Sequence, residues 1–127
     1  MVTEDYVSFE VAKLLKEKGF NEPCFAYYSE YIDNWKRLKI WKKSARTYDT
    51  VRNPGYILVS TIQMAMKWLR EVHNIVIEIT SVWIESFGYN YIARIVVEGE
   101  SKKSLKHYNH HEEACEAAIK YSLENLI

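Results

Sequence analysis

Residues 107 to 118 read HYNHHEEACEAA and place three histidines, an adjacent pair of glutamates and a cysteine within twelve positions. Two chemistries would use such a set: a metal centre, or a thiol activated by imidazole. His111 and Cys115 stand one helical turn apart, and His107 could join them from a preceding strand, so three zinc-ligand types could converge. The spacing matches no finger, ribbon or H-E-x-x-H pattern, and no fourth ligand is evident. A nucleophilic thiolate needs partial exposure and a positive setting, whereas the neighbours here are acidic.

The same residues also read as the start of a helix. Asn109 is a favourable N-cap, Glu112 three residues on completes a capping box, and Glu112 and Glu113 sit where the helix dipole favours negative charge. With the helix running from His110, Cys115, Ala118, Ile119, Ser122 and Leu126 share one stripe, and Glu113, Glu116, Lys120 and Glu124 the other. This reading makes Cys115 a core thiol and the histidines surface groups, with no metal held by His107, His110, His111 and Cys115. Nor is there a G-x-S-x-G elbow, a P-loop or a dinucleotide glycine fingerprint, and four glycines in 127 residues leave little for phosphate-cradling loops. No catalytic or cofactor-binding residue is assigned, and the chain is read as a non-enzyme.

A second stretch carries binding chemistry. WKRLKIWKKSAR, residues 35 to 46, holds six basic residues, no acidic one and two tryptophans. Cations neutralise phosphates and aromatic faces stack on bases, so Trp35, Lys36, Arg37, Lys39, Trp41, Lys42, Lys43 and Arg46 could contact nucleic acid. Tryptophan and arginine are equally typical anchors of protein interfaces. The third reading is an amphipathic segment whose tryptophans pack on a sheet beneath lysine stems. Overall charge argues against a dedicated polyanion binder, because seventeen basic residues balance seventeen acidic ones. The distribution is uneven: residues 1 to 34 carry three basic and seven acidic, 35 to 70 nine and one, 71 to 127 five and nine.

The surrounding elements follow from periodicity. Ser8 caps a short amphipathic helix through Val11, Leu14 and Leu15 that stops at Gly19, with Phe20 folding back. Ser60 and Gln63 form a capping box for a central helix with a core stripe of Ile62, Ala65, Met66 and Leu69, ending at Asn74. IVIEITSVWI and YIARIVV, joined through SFGYN, predict a β-hairpin with Tyr89, Tyr91, Ala93, Ile95 and Val97 on one face. Gly99 and ESKKS predict a turn before a short strand over Leu105 to Tyr108. CFAYY reads as a strand, while residues 31 to 46 fit a helix aligning Tyr31, Trp35, Leu38 and Ala45, or a twisted ribbon. From Ser60 the order of elements is that of a double-stranded-RNA-binding domain, a likeness of fold alone. Such domains grip phosphates with lysines at the start of the last helix, and here that position is acidic.

Length and a hydrophobic content of 48% predict one α+β domain over residues 1 to 127, with an antiparallel sheet of about three to four strands and N-terminal, central and C-terminal helices. Short apolar runs and the acidic Glu4 and Asp5 point away from a membrane span or signal peptide, and toward the cytoplasm. There Cys24 and Cys115 are thiols.

The strings SFEVAKLLKEKGF, QMAMKWLREVHNI and EEACEAAIKYSLENLI resemble a group of small proteins encoded by phages, prophages and other mobile elements of gut anaerobes. The resemblance covers both ends and the central helix, and that group has no established activity to carry over. It implies an accessory or host-directed interaction. The expected function is therefore protein binding without catalysis, with nucleic-acid binding through residues 35 to 46 as the alternative.

Overall fold

The computed structural model describes residues 5 to 127; Glu4, used above to read the N-terminus, lies outside them. The chain is α+β and divides into two compact units, one ending at Thr61 and the other running Ile62–Ile127. The six strands form two antiparallel sheets of three, one in each unit.

The first unit opens with helix α1, Phe9–Glu17. Ser8 caps it as its position suggests, its hydroxyl accepting from the Val11 N–H at 3.3 Å. Gly19, at φ +90°, closes the helix, and the Phe20 N–H returns to the Leu15 carbonyl, burying the phenyl ring. Strand β1, Ala26–Ser29, is central: β2, Lys39–Ile40, pairs with one edge and β3, Tyr56–Val59, with the other. Two single-turn helices complete the unit, α2 at Glu30–Asp33 and α3 at Tyr48–Val51. Directly opposed residues share a face. The register thus places Ala26, Tyr28, Ile57 and Val59 on one side of the sheet, and Tyr27, Lys39 and Leu58 on the other. Phe9 meets Tyr28 edge-on at 5.1 Å, which puts α1 on the first side.

The second unit runs helix, three-stranded meander, helix: α4 Ile62–His73, β4 Ile75–Ile84, β5 Gly88–Val97, β6 Glu100–Tyr108 and α5 His111–Asn125. Asn74 ends α4 in the left-handed conformation, at φ 57°. In the hairpin Ile75, Ile77 and Ile79 oppose Val97, Ile95 and Ala93, and the latter two are fully buried beneath the helices. Tyr89, Tyr91, Ala93, Ile95 and Val97 share this face, as their alternation requires.

Three local expectations are corrected. The segment ESKKS is not a turn but the first half of β6: Glu98 and Gly99, both at positive φ, make the reversal alone, which is the backbone of a tight hairpin turn. Helix α4 starts at Ile62, and the Ser60 hydroxyl donates to the Thr61 carbonyl, so the box over Ser60 and Gln63 is out of register; Trp68 rather than Met66 completes the buried stripe. Helix α5 starts at His111 behind an N-cap His110 that makes no side-chain cap bond, which leaves Asn109 one residue too early. The phase of α5 is set by burying Ala114, Cys115, Ala118, Ile119, Ser122 and Leu123, and the cap follows from that phase.

Because Ile95 is fully buried on the central strand, Ile95→Ala should lower the unfolding free energy by about 2–5 kcal/mol, whereas Lys106→Ala, at an exposed position of β6, should cost less than about 1 kcal/mol. Urea denaturation of the two variants beside the wild type checks this.

Candidate binding surface

Residues 35 to 46 form an irregular ribbon laid antiparallel along β1. Its backbone is pinned at intervals: the Trp35 N–H donates to Ser29, the Trp41 N–H to Phe25, and Cys24 and Arg46 exchange both of their backbone bonds at 2.8 Å. Asn34 and Trp35 both adopt positive φ, which breaks any helix there. Of the two forms that the sequence allowed, the ribbon is the one adopted.

Asp33 organises the entry to this ribbon. Its carboxylate accepts from the backbone N–H groups of Lys36 and Arg37 at 3.2 and 3.1 Å and pairs with the Lys39 ammonium at 2.8 Å. The hydrogen bond from Lys39 leads the effects that hold its carboxyl below the usual carboxylate value, with the two backbone donors assisting. Lys39 is thereby committed to the fold.

Both tryptophans are also committed. Trp35 leans on Phe9 with ring centroids 5.7 Å apart. Trp41 stacks on Tyr27 at 4.1 Å and 15°, Tyr56 tilts against both, and the Arg46 guanidinium lies over the Trp41 ring at 5.0 Å. With Tyr27 stacked on it and Arg46 over the ring, Trp41 is engaged within the fold and stays only partly exposed. Lys36, Arg37, Lys42 and Lys43 remain: all are exposed, and among the described residues none has a carboxylate within ion-pair distance. The sequence named eight residues; the structure makes four of them a cation display and four the frame that holds it.

A cleft of about 420 Å³ elsewhere in this unit was not foreseen. It lies between the end of α1 and the segment from Tyr48 to Pro54, with Lys16 and Arg52 as its charged residues. Lys16 sits over the Tyr48 ring at 5.1 Å and donates to the Tyr56 carbonyl. Asn21 ties the cleft together, donating to Asp49 at 2.7 Å and accepting from the Tyr48 N–H at 2.9 Å. These contacts join positions 27 and 28 residues apart, which no local periodicity reveals. Behind it the Tyr48 hydroxyl accepts from the Leu58 N–H at 2.8 Å, and burial raises its pKa.

In the second unit, the Cys115 sulfur lies 3.6 Å from His111 Nδ1, with Tyr91 edge-on to that imidazole at 5.8 Å. Cys115 is wholly buried, so no substrate reaches its sulfur. His107 and His110 are exposed, and among the described residues no three His, Cys, Asp or Glu side chains are grouped to hold a metal ion. Neither cysteine is in a disulfide. No helix among the described residues is long and apolar enough to cross a membrane.

Comparison with protein-family models, with curated proteins and with solved structures finds no match to the chain.

Burial, and secondarily the Glu22 carboxylate, push the Cys24 thiol from 9.0 up to about 12. The folded form therefore favours the protonated thiol. Its contribution to stability is complete below the ordinary thiol value and is lost as pH rises from about 9 toward 12. Thermal unfolding across that window should show the wild type losing stability more steeply than Cys24→Ala, and a thiol reagent near neutral pH should label Cys24 only on unfolding.

Proposed function

We propose that the protein is a non-enzymatic binding protein that engages an acidic protein surface through residues 35 to 46, as an accessory factor of a phage or other mobile element. One observation carries this reading: Lys36, Arg37, Lys42 and Lys43 stand exposed and, among the described residues, without carboxylate partners on a ribbon whose backbone and aromatic frame are already fixed. Preorganised charge loses little freedom on binding, and complementary charge gives rate and register to a protein encounter. A cytoplasmic setting agrees with two cysteines kept as thiols.

Nucleic acid is the second reading, because four unpaired cations within eight positions would serve phosphates equally well. The frame disfavours single strands, since stacking is strongest on open aromatic faces and both tryptophans of this ribbon already pack on another ring and are only partly exposed. Contact would be confined to a phosphate backbone.

Fluorescence anisotropy separates the two. Labelled glutamate-rich peptide, single-stranded and duplex DNA and RNA are titrated at low and near-physiological salt, with the Lys42→Glu, Lys43→Glu double variant alongside. The protein reading expects peptide binding that the variant loses and that outlasts nucleic-acid binding as salt rises. Duplex binding that persists at near-physiological salt, with a log–log salt slope reduced by about 2 in the variant, would replace it with the nucleic-acid reading. Binding of neither probe at low salt rejects both.

A further inference from the structure

The second unit treats its two sheet edges differently. Strand β6 carries exposed Lys102, Lys103 and Lys106, suffers two register shifts in its pairing with β5, and holds His107 at φ 72°. Lysines, bulges and bent backbone are the devices by which an edge strand avoids pairing. Strand β4 has none of them. Its ten residues, IVIEITSVWI, run in unbroken register with β5 and include a single charge. That charge, Glu78, is already met across the strand pair by Arg94 at 3.2 Å. Among the described residues no strand pairs with the other edge of β4, so a row of N–H and C=O groups stands open there.

The exposed apolar side chains gather at the same place. Apart from Ile127, every large hydrophobic exposed in this unit lies in the last turn of α4 (Val72), on β4 (Val76, Val82, Trp83, Ile84) or at the hairpin end (Phe87, Tyr89), and among the described residues none is on β6. Trp83 is 63% and Phe87 86% exposed, whereas Ile75 at the other end of the strand is buried.

The geometry points to a second copy of this chain as the occupant of that edge, its own β4 paired antiparallel to form one six-stranded sheet. Two-fold antiparallel pairing brings the exposed half of each β4, Val82 to Ile84, beside the half of the other that begins at Val76, so each copy covers the other. It also keeps the helices of both copies on one side of the sheet. Directly opposed residues then face the same side, so the two-fold axis passes at a residue, and the fullest overlap of the ten-residue strand puts it at Ile79 or at Thr80. The first places Glu78 opposite Thr80, the second opposite Val82, and neither sets Glu78 against itself. The pairing is closed, because it consumes both β4 edges and leaves the lysine-guarded β6 edges outermost.

This arithmetic yields a variant that acts in either register. Thr80→Glu sets acid against Glu78 if the axis is at Ile79, and against itself if the axis is at Thr80. Light scattering behind size-exclusion chromatography, over a dilution series, should give twice the chain mass for the wild type and for Ser104→Glu on β6, and half that value for Thr80→Glu. Retention of the dimer by Thr80→Lys would fix the axis at Ile79, and its loss would fix it at Thr80. A wild type of single-chain mass at every concentration, or a Thr80→Glu chain that stays dimeric, overturns the proposal. Should circular dichroism show Thr80→Glu unfolded, hydrogen exchange of the wild type decides. Alternate β4 amides that are protected when concentrated and exchange on dilution support pairing, and amides open at all concentrations refute it.

Discussion

Strand β1 is the constraint on which the first unit depends. It has four residues, with Ala26 and Ser29 both fully buried, and buried backbone groups must find partners. Strand β3 satisfies one edge with an apolar sequence, Tyr56–Val59, that belongs in a core. Among the described residues the only backbone bonded to the other edge is residues 35 to 46, whose sequence is basic and whose two large aliphatic side chains, Leu38 and Ile40, are exposed. Hydrophobic burial therefore contributes little to holding this ribbon in place. Hydrogen bonds at Ser29, Phe25 and Cys24, the Asp33 turn and the stack of Tyr27, Trp41 and Arg46 do so instead.

That division of labour explains what could be read from the sequence. The second unit was legible nearly throughout: period 3.6 in Ile62, Ala65 and Leu69, period 2 from Tyr89 to Val97, and a helix phase written by Cys115, Ala118 and Ile119. Each of these patterns reflects one face turned to a core, which is what periodicity records. The misreadings at Ser60 and Asn109 were of caps, whose register packing dictates from a distance. Serine and lysine in Glu100–Tyr108 concealed a strand because an edge strand with one solvent face needs few apolar residues.

The ribbon was illegible for the opposite reason. Its partners are remote in sequence, Tyr27 with Trp41 and Phe9 with Trp35, and their contacts leave no period. Sequence reasoning named the eight residues that carry its chemistry but could not separate those that bind outward from those that bind inward. Asp33, which captures Lys39 and fixes the turn before Lys36, was not singled out at all. Its signal is an acid three residues ahead of a basic run, and only the local pairing of side-chain oxygens with nearby N–H groups gives that signal meaning.

The occupied tryptophans also bear on how binding at this ribbon can work. An interface that draws its energy from aromatic anchors needs rings that are partly free before the partner arrives. Trp35 and Trp41 have spent theirs on Phe9 and Tyr27, so removing either would act through the frame, loosening the ribbon and its four cations together. On the proposed reading charge is the recognising element, and aromatic packing the support that keeps Lys36, Arg37, Lys42 and Lys43 in fixed relation. The second unit is built the other way round: its charged strand is the guarded one, and its rings, Trp83 and Phe87 above all, stand in solvent. The ribbon of the first unit thus offers charge on an aromatic frame, and β4 of the second unit an open apolar edge, two surfaces of different chemistry.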